Sequence, residues 1–338
     1  MKKIAYQNID KLYGELASNL DLYMPIKKAG ALNFEKYENG KEADIETLQT
    51  VKSVKDLFFP QVEHFVDFKT DGTKIDVIDT REIRGEFALF GVRACDLKSL
   101  EVLDKVFLQE PVDSMYKNKR DNAVIFTLAC QTPHASCFCK VFDIDASSPK
   151  GDVECHLTNG VLYLNPITEK GANLVNKLTC LEDATSESVD LNKQEIKAKI
   201  DALPFSNLDL SVFKGENLME LFDRKEWEEL SKACLGCGTC TFICPTCQCF
   251  DVRDFKTNSG VKRFRCWDSC MYSEFTKMAA ENPRKNQMQR FRQRFMHKLV
   301  YYPSNNGGLY SCVGCGRCVK KCPQSLNIVK VIKKLGDK

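Results

Sequence analysis

No uninterrupted apolar stretch in this chain of 338 residues approaches the ~18 residues that a membrane-crossing helix requires, and "FALFGV" is typical of the longest. The N-terminal "MKKIAYQNIDKLYGELASNL" has a pair of lysines after its Met but no apolar segment behind them, so no secretory signal is expected. A cytoplasmic protein without direct membrane insertion is the expectation. Low-complexity segments are missing, and a hydrophobic fraction of 43% is enough for real cores. The patterns G-x-G-x-x-G, P-loop and H-E-x-x-H are absent, so no flavin, nucleotide or hydrolytic site is evident and no catalytic residue is assigned. Histidine is scarce as well. His64, His134, His156 and His297 stand alone, and none is expected to ligate a metal.

Cysteine is the opposite case. There are eighteen, twelve of them between Cys234 and Cys322. In a chain without an export signal, such an excess points to metal binding rather than to disulfides. Charge is also uneven. Residues 1–233 hold 30 Lys and Arg against 40 Asp and Glu, whereas residues 234–338 hold 19 against 6. A basic half can signal nucleic acid, but metal-bound thiolates in that half would carry negative charge and offset part of the excess. No nucleic-acid partner is expected.

The length suggests two domains: an α/β unit over 1–215 and a second unit over 216–338. "YQNIDKLYGELASNL" and "DIETLQTVKSVKDLF" have helical spacing, and "KIDVIDT" reads as a strand. "EFALFGV" and "NAVIFTLAC" read as buried strands, the first followed at once by a helix, "RACDLKSLEVLDKVFL", where Asp96 could cap. "DVECHLTNGVLYLNP" alternates around Asn159-Gly160, a hairpin signal. Polar residues 186–210 read as a connection, and "NLMELFDRKEWEELSKAC" as a helix leading into the first cysteine motif. In "RKNQMQRFRQRFMHKLVYYP" Met288, Phe291, Phe295 and Leu299 form an apolar stripe. Its basic residues are first read as a solvated face; the sharper reading sets Arg284, Lys285, Arg290 and Arg294 near a cluster or a partner.

Two segments align without gaps. Cys234, Cys237, Cys240 and Cys244, then Pro245, follow C-x-x-C-x-x-C-x-x-x-C-P; Cys312, Cys315, Cys318 and Cys322, then Pro323, repeat it. Three closely spaced thiolates cover one face of a four-iron cube, and the fourth cysteine ligates the other cluster. The spacing therefore predicts Cys234, Cys237, Cys240 and Cys322 for one [4Fe-4S] cluster, and Cys312, Cys315, Cys318 and Cys244 for the other. Structural zinc prefers two separated pairs.

Four more cysteines fall at strand ends: Cys95 after one strand, Cys130 after the next, and Cys137 and Cys139 in the loop beyond. Parallel neighbouring strands would gather them at one sheet edge, where α/β folds place ligands. A third iron–sulfur cluster is the leading reading, with zinc and unligated buried thiols as alternatives. Cys247, Cys249, Cys266 and Cys270 make a possible fourth metal-binding set, open between a cluster, zinc, a redox-active thiol pair and simple packing. Cys155 and Cys180 read as structural.

"FGVRACDLKSLEVLDKVFL", "CFC", "CLGCGTCTFICPTCQCFDV", "WDSCM" and "CVGCGRCVKKCPQ", in that order, resemble a family of iron–sulfur subunits found in anaerobic sulfite reductase and, as the β subunit, in sulfhydrogenase-type [NiFe] hydrogenases. Cys247, Cys249 and Cys270 match family positions, and Cys266 matches less well. The resemblance implies an α+β architecture, with an α-helical ferredoxin-like dicluster domain after the α/β domain. It also implies an electron-transfer subunit that works between a flavin- and NAD(P)-binding subunit and a catalytic redox subunit. The competing expectation is an iron–sulfur subunit that itself reduces disulfides or sulfur compounds.

Overall fold

The computed structural model describes residues 1–47, 49–214 and 218–336. Its strands are β1 (Lys2–Ala5), β2 (Asp21–Lys28), β3 (Ala31–Lys36), β4 (Val62–Asp71), β5 (Lys74–Asp79), β6 (Phe87–Val92), β7 (Ala123–Leu128), β8 (Val153–Thr158), β9 (Val161–Pro166), β10 (Glu182–Asp183), β11 (Phe250–Thr257) and β12 (Gly260–Trp267). Eight form one sheet in the order β10-β1-β9-β8-β7-β6-β2-β3, and four form another in the order β11-β12-β4-β5. Helices complete a mixed α+β architecture.

The apolar runs β6 and β7 are buried at every position, as strands covered on both faces must be. They lie parallel, with Phe87 opposite Ala123 and Phe90 opposite Phe126. The expected helix follows β6 directly, over Ala94–Phe107. Its N-cap is Arg93 rather than Asp96; Asp96 instead turns inward, 1% exposed, to pair with Arg317. The Asn159-Gly160 turn joins β8 and β9 in antiparallel register.

Three readings of the sequence change. Among the described residues, "DIETLQTVKSVKDLF" is helical only over Lys55–Phe58. Before that its backbone is committed elsewhere: Asp44 Oδ1 accepts from the Glu46 and Thr47 amides, and Val51 N–H donates to Leu32 O. The polar stretch read as a connection contains a helix, Glu187–Asp201, that buries Val189, Asn192, Ile196 and Ile200 along one face. The region between the cysteine motifs is not wholly helical, because β11 and β12 form a hairpin there.

That hairpin ties the chain together. β12 pairs with β4, so the second sheet draws on both of the stretches expected as domains. They also share a core, in which Phe138 and Phe142 pack with Trp227, Phe295, Leu299 and Ile332. The boundary expected at residue 215, and Asn217 at the start of an expected helix, lie outside the described residues. Beyond them come two short helices, Leu218–Phe222 and Glu226–Ser231.

Candidate iron–sulfur centres

Both cysteine motifs turn on glycines with positive φ, and Gly238 and Gly316 each start a one-turn helix. At the second motif the glycines also allow close approach. A Cβ on Gly314 would stand 2.4 Å from the Phe138 carbonyl oxygen, and one on Gly316 2.5 Å from that of Ser136. The loop that carries Cys137 and Cys139 is thereby seated on this motif, where Phe138 N–H donates to Gly314 O at 2.8 Å.

Cys234, Cys237, Cys240 and Cys322 line one cavity, walled by Met271, Phe291 and Phe295. The fourth cysteine of the second motif thus stands with three of the first. Leu326 N–H donates to Cys322 Sγ at 3.2 Å, and Gln287 Nε2 to Cys234 Sγ at 3.4 Å. Hydrogen bonds to sulfur of this kind set cluster potentials. Cys237 is the exposed member, and a hydrogen bond with the Thr239 hydroxyl holds its thiol below the ordinary value.

The reciprocal set gathers deeper. Cys244 acts electrostatically on Cys312, Cys315 and Cys318 alike. Burial raises the Cys312 and Cys315 thiols and pushes Cys318 up to about 12. Without iron these groups would be protonated; a thiolate-bound cluster would displace the protons.

The parallel pairing of β6 and β7 carries Cys95 and Cys130 to the same sheet edge. Cys130 faces Cys137 and Cys139, and Cys139 faces Cys95. Burial lifts Cys137 and Cys139 to about 12. This third set adjoins the second: Cys137 Sγ donates to Cys315 O at 3.8 Å.

Of the remaining four, three come together. The Cys249 thiol is in hydrogen-bonding contact with Cys270 and the Cys247 thiol with Cys244, and Cys247 and Cys270 face each other. Cys266 does not join them. On β12 it alternates with the buried Arg265 and Trp267 and points to the opposite face, where its strand partner Val62 is 63% exposed. Cys155 is buried within β8, and Cys180 lies beside Glu15. His156 is occupied by Glu154 and Asn192.

The most informative residues here are cations. Arg294 and Lys298 stand one turn apart, where the helix Gln287–Met296 runs into a π turn over His297–Tyr301. Both are buried, and so are Lys55, Arg93 and Arg317. Arg294 donates to Cys240 O at 3.0 Å and faces Cys318 and Cys244 across the gap between the two motif-derived sets. Lys298 donates to Thr246 Oγ1 and Ser311 O beside Cys244 and Cys312. Lys55 donates to Cys247 O at 3.0 Å and lies over the Trp267 ring. Burial alone would lower the pKa of Arg294 and Lys298, but negative charge on the neighbouring cysteine sulfurs would outweigh it and raise both. Of these five, only Arg317 has a carboxylate partner among the described residues, Asp96, at 2.6 Å. Among the described residues, Lys55, Arg294 and Lys298 have sulfur, carbonyl and hydroxyl neighbours instead of ion pairs. Buried charge needs a counter-charge, and thiolate-ligated clusters at these cysteines would supply it.

Single-ion geometry is a different matter. Among the described residues no three His, Cys, Asp or Glu side chains converge as ligands of one metal ion would. Ligands of a cluster instead surround a cube.

Sequence reasoning missed Lys55 and Lys298. The spacing of Lys298, four residues after Arg294 on a helix, was the available signal. The burial of Arg294 answers to the sharper reading of that helix, not to the solvated one.

The family model of the 4Fe-4S dicluster domain matches residues 233–326, the stretch that holds both motifs. This is therefore an iron–sulfur electron-transfer protein of the dicluster class. Over 319 residues it is 31% identical to sulfhydrogenase 2 subunit beta of Pyrococcus furiosus, an alignment covering 92% of this chain and 91% of that one. The chain belongs to that family of sulfhydrogenase β subunits. No solved structure matches it. Among the described residues no helix is long and apolar enough to cross a membrane.

Proposed function

We propose that this chain is the electron-relay subunit of a cytoplasmic oxidoreductase complex. It would work between a flavin- and NAD(P)-binding subunit and a catalytic redox subunit of the hydrogenase or sulfite-reductase type. Cys234, Cys237, Cys240 and Cys322 hold one [4Fe-4S] cluster, and Cys312, Cys315, Cys318 and Cys244 a second. Cys95, Cys130, Cys137 and Cys139 hold a third. Bound there, each cluster supplies a one-electron couple. The observation that carries the reading is the adjacency of these thiol sets in series, with Arg294 buried between the first two and the Cys137–Cys315 contact joining the last two.

The chain's own residues bind and tune. Glycine turns and short helices aim backbone amides at sulfur, apolar walls exclude water, and buried cations balance thiolate charge. Exposure of Cys237 gives the first set access to the surface. The relative's name makes it the β subunit of a sulfhydrogenase, which fits a relay within an assembly.

Anaerobically purified protein should contain at least about eight irons and eight acid-labile sulfides per chain. Four irons or fewer would refute the reading. Cys95→Ser or Cys139→Ser should remove about four irons; unchanged iron would dispose of the third cluster. Flavin-containing and catalytic subunits should co-purify with the native protein.

A further inference from the structure

Cys249 and Cys270 belong to neither motif-derived set nor to the set at the ends of β6 and β7. We propose that they are a redox-active dithiol that reduces disulfide-bonded substrates, closing to a disulfide that electrons from the relay reopen. The inference rests on the relay reading above, which supplies the electrons, and adds two-electron sulfur chemistry to it.

Three observations carry it. The two sulfurs are in direct hydrogen-bonding contact. A disulfide holds its sulfurs ~2 Å apart, so this pair has to close by only roughly 1–2 Å to form one. Next, the fold itself builds the contact. Cys249 stands just before β11 and Cys270 just after β12. The antiparallel register sets Phe250 opposite Trp267, and Asp268 N–H donates to Cys249 O at 2.9 Å. The bond would therefore crosslink the base of a hairpin that is already closed, with no new strand pairing needed. Finally, sulfur leads from the pair to the relay: Cys270 faces Cys247, and the Cys247 thiol touches Cys244 of the second set. Both members of the pair are partly exposed, so neither is sealed in the core.

The pair is also asymmetric. Hydrogen bonding from Cys270 holds the Cys249 thiol at about 7, and an attacking thiol works best when its pKa lies near the ambient pH. Cys249 is therefore the attacking member and Cys270 the resolving one. Cys249 Sγ attacks one sulfur of the substrate, the substrate S–S bond breaks, and one substrate thiol leaves. Cys270 Sγ then attacks Cys249 Sγ, which releases the second substrate thiol and forms the Cys249–Cys270 bond. The two cysteine protons end on the two substrate thiols. Two electrons from the relay, arriving one at a time, and two protons from solvent break the new bond and restore the dithiol.

The test uses the anaerobically purified full chain, with oxidised glutathione as the substrate probe and reduced methyl viologen as the electron donor. Alkylation and peptide mapping read the state of the two cysteines. Oxidised glutathione should produce a Cys249–Cys270 disulfide with iron content unchanged, and viologen should return it to two free thiols. In a chain stripped of iron, viologen should leave the disulfide intact. Cys270→Ser should trap one glutathione on Cys249. Free thiols after glutathione, a disulfide that viologen fails to reopen, or one that it reopens equally well without iron would each overturn the proposal. Loss of about four irons in Cys249→Ser/Cys270→Ser would overturn it too, since the pair would then be cluster ligands. If the variants do not fold, the mapping of the wild type decides. A wild type with about four irons or fewer would instead refute the relay reading, which the glutathione step alone does not depend on.

Discussion

Removing the charge of Arg294 should lower two cluster potentials together. The guanidinium is 2% exposed, donates to Cys240 O, and faces Cys240 of the first set as well as Cys318 and Cys244 of the second. Reduction adds negative charge to a cluster, so a nearby fixed cation favours the reduced form. At an effective dielectric constant of about 20, a unit charge ~8 Å from another contributes ~2 kcal/mol. For a one-electron couple that is on the order of 90 mV. Arg294→Gln should therefore shift both dicluster potentials downward by roughly 50–100 mV, while iron content stays unchanged. Arg294→Lys, which keeps the charge, should recover most of the shift. The assay is a potentiometric titration followed by electron paramagnetic resonance. A change below ~20 mV at both centres, or an equal fall in the lysine variant, would refute electrostatic tuning by this residue.

Other expectations concern stability and ligand choice. Asp96→Ala strands Arg317 with the Thr50 carbonyl and hydroxyl as its remaining partners, and should cost ~3 kcal/mol in chemical denaturation. Glu154 is buried, which opposes ionisation, but hydrogen bonds from His156 and Lys193 hold its carboxyl at about 2. A depressed carboxylate stabilises the fold above its unfolded pKa near 4.5 and loses that contribution as pH falls towards 2. Wild type should therefore lose on the order of 3 kcal/mol across that window relative to Glu154→Gln, with thermal melts from pH 5 to pH 3 already showing the decline. Cys266→Ser should leave iron content unchanged and stability within ~0.5 kcal/mol, because this thiol points away from the other cysteines.

The elements legible in the sequence were those whose pattern was both strong and local. β6 and β7 are continuous apolar runs, β8–β9 turns on Asn-Gly, and each cysteine motif is complete within a few residues. The hairpin of β11 and β12 escaped notice because charged residues occupy both of its faces. Asp254 with Arg263 and Asp251 with Arg253 form ion pairs that mask the alternation. The helix Glu187–Asp201 was hidden by its composition, since a polar Asn192 fills one of its buried positions. In the opposite direction, Thr50 lies in a stretch with helical spacing, yet its carbonyl accepts from Arg317, far away in sequence. Pairings of that range leave no local trace. The same holds for the buried cations: a lysine or arginine reads as surface until the fold places sulfur around it.

The exchange of ligands between the two motifs also constrains when the protein can mature. On the proposed assignment Cys240 and its neighbours would wait for Cys322, and Cys312 and its neighbours would depend on Cys244, so neither motif would complete its own set. Synthesis delivers the chain from the N-terminus, and Cys234, Cys237 and Cys240 emerge well before their fourth partner. Insertion of the first cluster would then await synthesis of Cys322. Chains stalled before Cys322 would then be unable to retain that cluster, and Arg294 and Lys298 would lack much of their counter-charge. Such a chain should be an early substrate for proteolysis rather than a half-loaded competitor for the complex.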